Sequence, residues 1–143
     1  MAHIAIDQDQ GLLIVQVEGL ARMITPRDRV IVPLDHVVGA VARPEPPRNL
    51  VEHLKTITGA GTHIPGVLRV GTFIADDGCR EFYAIRDGKR AVVIELVQER
   101  FRRLIVEPSA REEPEACARR IREAIVHARS GPNSQSRPGT NSR

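Results

Sequence analysis

Apolar and polar residues alternate in short blocks along most of this chain, and the blocks are too short for long helices. "HIAI" (residues 3–6) runs into the polar turn Asp7–Gly11 and is followed by "LLIVQV" (12–17), the layout of a β-hairpin. "RVIVPL" (29–34) and "DHVVGAVAR" (35–43) are again rich in β-branched residues and predict two more strands. Pro33 has no amide hydrogen to give to a ladder, so its strand is expected at a sheet edge or bent at that point. Between these blocks Leu20, Met23 and Ile24 keep helical spacing for a single turn that stops before Pro26.

Residues 44–66 read as a connector, in which Asn49 caps a short helix carrying Leu50, Leu54 and Ile57, ended by Gly59 and Gly61. Four strand-like runs follow: "VLRVGTFIA" (67–75), "REFYAIR" (80–86), "AVVIELV" (91–97) and "RRLIVE" (102–107). Asp77-Gly78, Asp87-Gly88 and the polar "QER" (98–100) separate them. Asp-Gly between apolar runs is a strong hairpin signal, and two-residue turns join only antiparallel neighbours, so an antiparallel meander is expected. In the last block Cys117, Ile121, Ala124, Ile125 and Ala128 form one apolar stripe at helical spacing. Glu112, Glu113 and Pro114 open it and arginines close it, predicting a helix over about 113–128. Residues 129–143 lack apolar residues able to pack and read as a disordered tail.

Phe82 and Tyr83 are adjacent in a strand and so point to opposite faces. In the next run Val92, Ile94 and Leu96 share one face and Ala91 and Val93 the other, so both faces are apolar. The outer surface around Phe82, Tyr83 and Val93 is therefore expected to be covered, either by a protein partner (a second copy included) or by a helix or tail of the same chain.

Composition changes this picture little. With 143 residues the chain is long enough for one core, taken as a single domain over 1–128. Its net charge is +3, but of 21 basic residues only Lys55 and Lys89 are lysines, a skew that GC-rich codon usage produces without selection for phosphate contacts. Aromatics are 3% of the chain and no long run of like charge occurs, which argues against nucleic-acid binding. There is no apolar stretch of the roughly 20 residues that a membrane span needs and no secretory leader pattern. Cys79 and Cys117 are far apart and read as free thiols in a reducing cytoplasm.

With that layout, "IVPLDHVVGAV" (31–41), "GTHIPGVLRVGTF" (61–73), "AVVIELVQERFRRLIVE" (91–107) and "PEACARRIREAI" (114–125) resemble the bacterial pleckstrin-homology-like domains, particularly a group of small uncharacterised bacterial proteins. The resemblance covers roughly residues 10–127. It implies a mainly β fold, a partly open antiparallel barrel of about seven strands capped by the C-terminal helix, acting in binding or assembly without a known enzymatic activity. The basic signature of the lipid-binding members is half present: Arg27-Asp28-Arg29-Val30-Ile31 fits its second part, whereas residues 12–18 hold no basic residue for the first.

Candidate chemistry is sparse. Asp7, Asp9 and Glu18 echo a calcium loop, but Leu12 stands where that loop needs glycine, and the five histidines share no ligand spacing; no metal or cofactor is expected. Cys79 has Arg80 beside it but no histidine near in sequence. "TGAGTHIPG" (58–66) has glycines for a phosphate cradle, yet a strand rather than a helix follows. The chain is thus expected to be a non-enzymatic, cytoplasmic binding or assembly module. Protein interaction or self-association comes first; an anionic ligand or membrane surface gripped by Arg27, Arg29, Arg86, Lys89 and Arg90 is the alternative.

Overall fold

A computed structural model describes residues 2–18, 29–43, 56–64, 68–74, 77–86 and 90–130. In chain order the elements are β1 (Ala2–Asp7), β2 (Leu12–Val17), β3 (Arg29–Pro33), a 3-10 turn (Leu34–His36), β4 (Val37–Arg43), β5 (Thr56–Ile64), β6 (Leu68–Ile74), β7 (Arg80–Ile85), β8 (Ala91–Leu96), β9 (Arg103–Val106) and α1 (Pro114–Ser130). The expected mainly β fold with one C-terminal helix is present. The strands form two sheets, ordered β1-β2-β3 and β4-β8-β9-β7-β6-β5, and not a closed barrel.

The small sheet follows its pattern closely. Asp7 pairs with Leu12 across the first turn, where Gly11 takes φ +67° and the Gln10 amide donates to Asp7 Oδ1 at 3.1 Å. Alternation then sends Ile4, Leu13, Val15, Val17, Val30 and Val32 inward. Pro33 ends an edge strand, and the chain bends there into the 3-10 turn that delivers β4 to the large sheet.

The large sheet corrects two expectations. Residues 56–64 form strand β5 rather than the end of a helical connector and a glycine loop; β5 pairs with β6, with an irregularity between Ile57 and Gly61. The meander also fails at its centre, because β7 and β8 are not neighbours. β9 lies between them, antiparallel to β8 and parallel to β7, with Phe82 opposite Leu104 and Ile94 opposite Leu104. Asp-Gly is a local turn signal and carries no information on what enters later between the strands it joins. The composition of β9, "RLIV", explains the insertion: Leu104 and Val106 face one side and Ile105 the other, all buried, and such a strand is stable only in the middle of a sheet covered on both faces.

Both faces are indeed covered. The main core joins the inner faces of the two sheets to Cys117, Ala118, Ile121, Ala124 and Ile125 of α1. Phe82 lies in it, 5.7 Å from Phe101 between ring centroids. A second cluster on the opposite face gathers Phe73, Tyr83, Ile85, Ala91, Val93 and Ile105, with Phe73 and Tyr83 packed edge to face at 5.4 Å.

α1 follows its stripe and closes the gap between the sheets. Arg120 Nη2 donates to the Ile4 carbonyl of β1 at 2.7 Å, and Arg122 Nη1 to the Ala40 carbonyl of β4 at 2.8 Å. Among the described strands β1 and β4 are both sheet edges, so the helix satisfies edge carbonyls that would otherwise invite another strand. Because Ile121 is fully buried under this helix, Ile121→Ala should cost about 3 kcal/mol of stability. Val126→Ala, on the exposed face, should change it by less than about 0.5 kcal/mol, both read from urea denaturation.

Candidate functional site at one end of the large sheet

The basic residues singled out in the sequence separate once the fold is known. Arg27 and Lys89, with the Asp87-Gly88 turn, lie outside the described residues, as do residues 44–55, 65–67 and 131–143. Arg90 is used by the backbone: its Nη2 donates to the Glu112 carbonyl at 2.6 Å, with the Pro108 and Ser109 carbonyls at 3.4 Å. Glu107, buried beside it, accepts the Arg86 amide at 2.9 Å. β7 ends and β8 begins on either side of the C-terminal end of β9, and these bonds fasten Arg86 and Arg90 to the segment leading into α1. Arg29 is exposed and donates to Gln16 Oε1 at 2.9 Å. Arg90 is thus a fastening, not a free ligand grip. Phe82, Tyr83 and Val93 are all buried within a single copy of the chain.

At the opposite end of the sheet the turn Asp77–Cys79 faces the β8–β9 connection, and between them is a cleft of about 630 Å³. It is lined by Gly78, Cys79, Arg80, Leu96, Glu99, Arg100, Phe101 and Arg102. Two backbone features shape it. Gly78 takes φ +86° so that the Cys79 amide can donate to Asp77 Oδ1 at 3.0 Å, and Gln98 takes φ +59° in the tight connection beyond β8. The Arg102 amide donates to the Arg80 carbonyl and its own carbonyl accepts from Leu96, tying the two walls together.

The charges of the walls are arranged unequally. Arg102 reaches both Asp77 and Glu81, the latter at 2.9 Å; Arg103 Nε lies 3.4 Å from the same Glu81 oxygen. Glu81 is 0% exposed, and Tyr83 Oη donates to it at 3.4 Å. Burial works against the Arg102 charge, but Glu81 and Asp77 outweigh it and raise the guanidinium above its ordinary value. The Asp77 carboxyl is held below its ordinary range, first by the Cys79 amide and then by Arg102. Glu99 is taken by His36 Nδ1 at the bend between the sheets. Among the described residues Arg80 and Arg100, both exposed, make no ion pair and no side-chain hydrogen bond. Sequence reading passed over Arg100, Glu99 and His36, because nothing local in "VQERF" indicates that this turn meets residues twenty positions earlier.

The two thiols have opposite surroundings. Cys79 is partly exposed on the cleft, and no hydrogen bond joins it to His36. Cys117 is fully buried; that burial, reinforced by Glu112, pushes its thiol up to about 12. One fast-reacting thiol per native chain and two after denaturation are therefore expected with an aromatic disulfide reagent. The raised Cys117 value also fixes a sign. Its contribution to stability is present below the ordinary thiol value of 9.0 and is lost as pH rises towards 12, since only the unfolded chain releases the proton in that window. For Glu81, removing a partner leaves a buried carboxylate. Arg102→Ala should cost about 2 kcal/mol, below the usual range for buried pairs because Arg103 remains. Combined with Glu81→Ala, the loss should be smaller than the sum of the two single losses in urea denaturation.

A second surface feature lies on the outer face of the small sheet. Ala5, Ile14 and Ile31 stand in one cross-strand row, with Leu12 opposite Pro33 in the next. Ile31 is 49% exposed at the centre of the edge strand β3. Outward positions of a one-sided antiparallel sheet are ordinarily polar, and here five of them are apolar or proline.

Among the described residues no group of three metal-ligating side chains occurs, and no helix is long and apolar enough to cross a membrane. Comparison of the chain with protein-family models, with curated proteins and with solved structures finds no match.

Proposed function

We propose that this chain is a non-enzymatic assembly module of the pleckstrin-homology-like kind that associates with a second copy of itself along β3. The observation that carries this reading is the apolar row Ala5–Ile14–Ile31 ending at a half-exposed edge strand. Ile31 is the middle residue of β3. A two-fold axis through it sets Ile31 against the partner's Ile31, extends the apolar row across both copies and pairs an edge that is open among the described strands.

The pleckstrin-homology-like assignment is supported by two sheets over one core with a C-terminal helix across their edges. The parallel β7–β9 pair and the number of strands depart from the expected seven-stranded antiparallel barrel. A non-enzymatic role is favoured because the titratable groups that meet do so as saturated pairs, and His36 is turned to Glu99 rather than to Cys79. Two unpaired thiols suit a reducing compartment, and we place the protein in the cytoplasm.

Light scattering on a gel-filtration column should give about twice 15.8 kDa at tens of micromolar protein. Ile31→Glu should return the mass of one chain with the circular dichroism spectrum unchanged, since the side chain is half exposed. A wild-type protein that stays at 15.8 kDa at that concentration overturns the proposal.

A further inference from the structure

The cleft between the Asp77–Cys79 turn and the β8–β9 connection has no part in that assembly. We infer that it is a binding site for a small oxyanion, a phosphate or carboxylate group, held by Arg80 and Arg100. Four arginines and three carboxylates stand around this end of the sheet. Arg102 serves Asp77 and Glu81, Arg103 serves Glu81, and Glu99 serves His36. Arg80 and Arg100 have no such partner among the described residues, yet both line the cleft.

The two side chains come from opposite walls, Arg80 from the first residue of β7 and Arg100 from the connection after β8. The Arg102 amide bound to the Arg80 carbonyl at 2.8 Å, together with the fork of Arg102 on the Asp77–Glu81 wall, holds those walls in register. The guanidiniums are therefore mounted on a fixed frame, and each offers the planar donor fork that suits phosphate or carboxylate. Leu96 and Phe101, almost wholly buried, also line the cleft. Glu99 is the one carboxylate among the lining residues, and it is turned to His36.

Cys79 lines the same cleft and makes the site measurable without labelling it first. Cys117, fully buried, stays silent in the native chain. Methanethiosulfonate reagents carrying a sulfonate or a trimethylammonium group report the local potential as a rate ratio. Normalised to a small free thiol, the anionic reagent should modify Cys79 about three- to tenfold faster than the cationic one at low salt. The advantage should shrink as sodium chloride is raised and disappear in Arg80→Ala/Arg100→Ala.

Occupancy is read separately, at constant ionic strength, with neutral iodoacetamide as the reagent. Pyrophosphate or tricarballylate should slow modification saturably in the wild-type chain and not in the double variant, and the arm that protects identifies a phosphate or a carboxylate ligand. A rate ratio equal to that of the free thiol overturns the site. So does the absence of protection by either anion at millimolar concentration. Both wild-type measurements stand even if the double variant is poorly folded, and neither depends on whether the chain is a dimer.

Discussion

A strand that is apolar on both sides has one stable place, the middle of a sheet covered on both faces, and the rest of this fold follows from giving β9 that place. With Leu104 and Val106 in the main core and Ile105 in the second cluster, β9 separates β7 from β8 and makes the large sheet six strands wide. The end of β7 and the start of β8 are then separated by the C-terminal end of β9. Arg90 and Glu107 sit at that end and fix it to the segment that starts α1. The helix in turn lies against the edges that β1 and β4 leave open, with Arg120 and Arg122 on their carbonyls. One packing constraint thus propagates through these bonds and the helix to the small sheet.

The same chain of causes sorts the arginines. Their number gives a net positive charge that looks like a ligand-binding signal, yet Arg90, Arg102, Arg103, Arg120 and Arg122 hold backbone carbonyls or carboxylates. A planar fork with five donors suits this work better than a lysine would, since one side chain can bind two or three acceptors at once. Arg102 shows what such a use requires. It lies 2.9 Å from fully buried Glu81, and a buried carboxylate left without a partner would be strongly destabilising. Arg80 and Arg100 line the cleft without such an acceptor.

Elements defined by a short local pattern were legible in the sequence. The β1–β2 hairpin, the edge position of Pro33, the stripe of α1 and the opposite facing of Phe82 and Tyr83 all follow from spacing, because pleat and helix repeat fix where side chains point. Two features were not legible. Asp87-Gly88 indicates a turn but not the insertion of a strand that lies further along the chain. Arg90 reads as a soluble turn residue because the carbonyls it holds, Pro108 to Glu112, are about twenty residues away. The doubly apolar "REFYAI" and "AVVIEL" did carry the missing information, since two-sided burial means central strands; the spacing alone left open whether a partner or the same chain covers them.

That cover also limits where this molecule can act. With both faces of the large sheet closed around β7, β8 and β9, recognition there by a broad sheet surface would require exposing Phe73, Tyr83 and Ile105, at a cost of a few kcal/mol for each large side chain uncovered. The exposed face of α1 is mostly charged, and its inner arginines are committed to the sheet edges. Among the described surfaces that stay open without such a cost are the outer face of the small sheet, where one edge strand carries an apolar row, and the strand ends, where connections set side chains apart from the core. The first is extended and apolar and suits a flat protein surface; the second is cationic and suits a charged group. Because they lie on different elements and use different chemistry, occupying one leaves the residues of the other untouched.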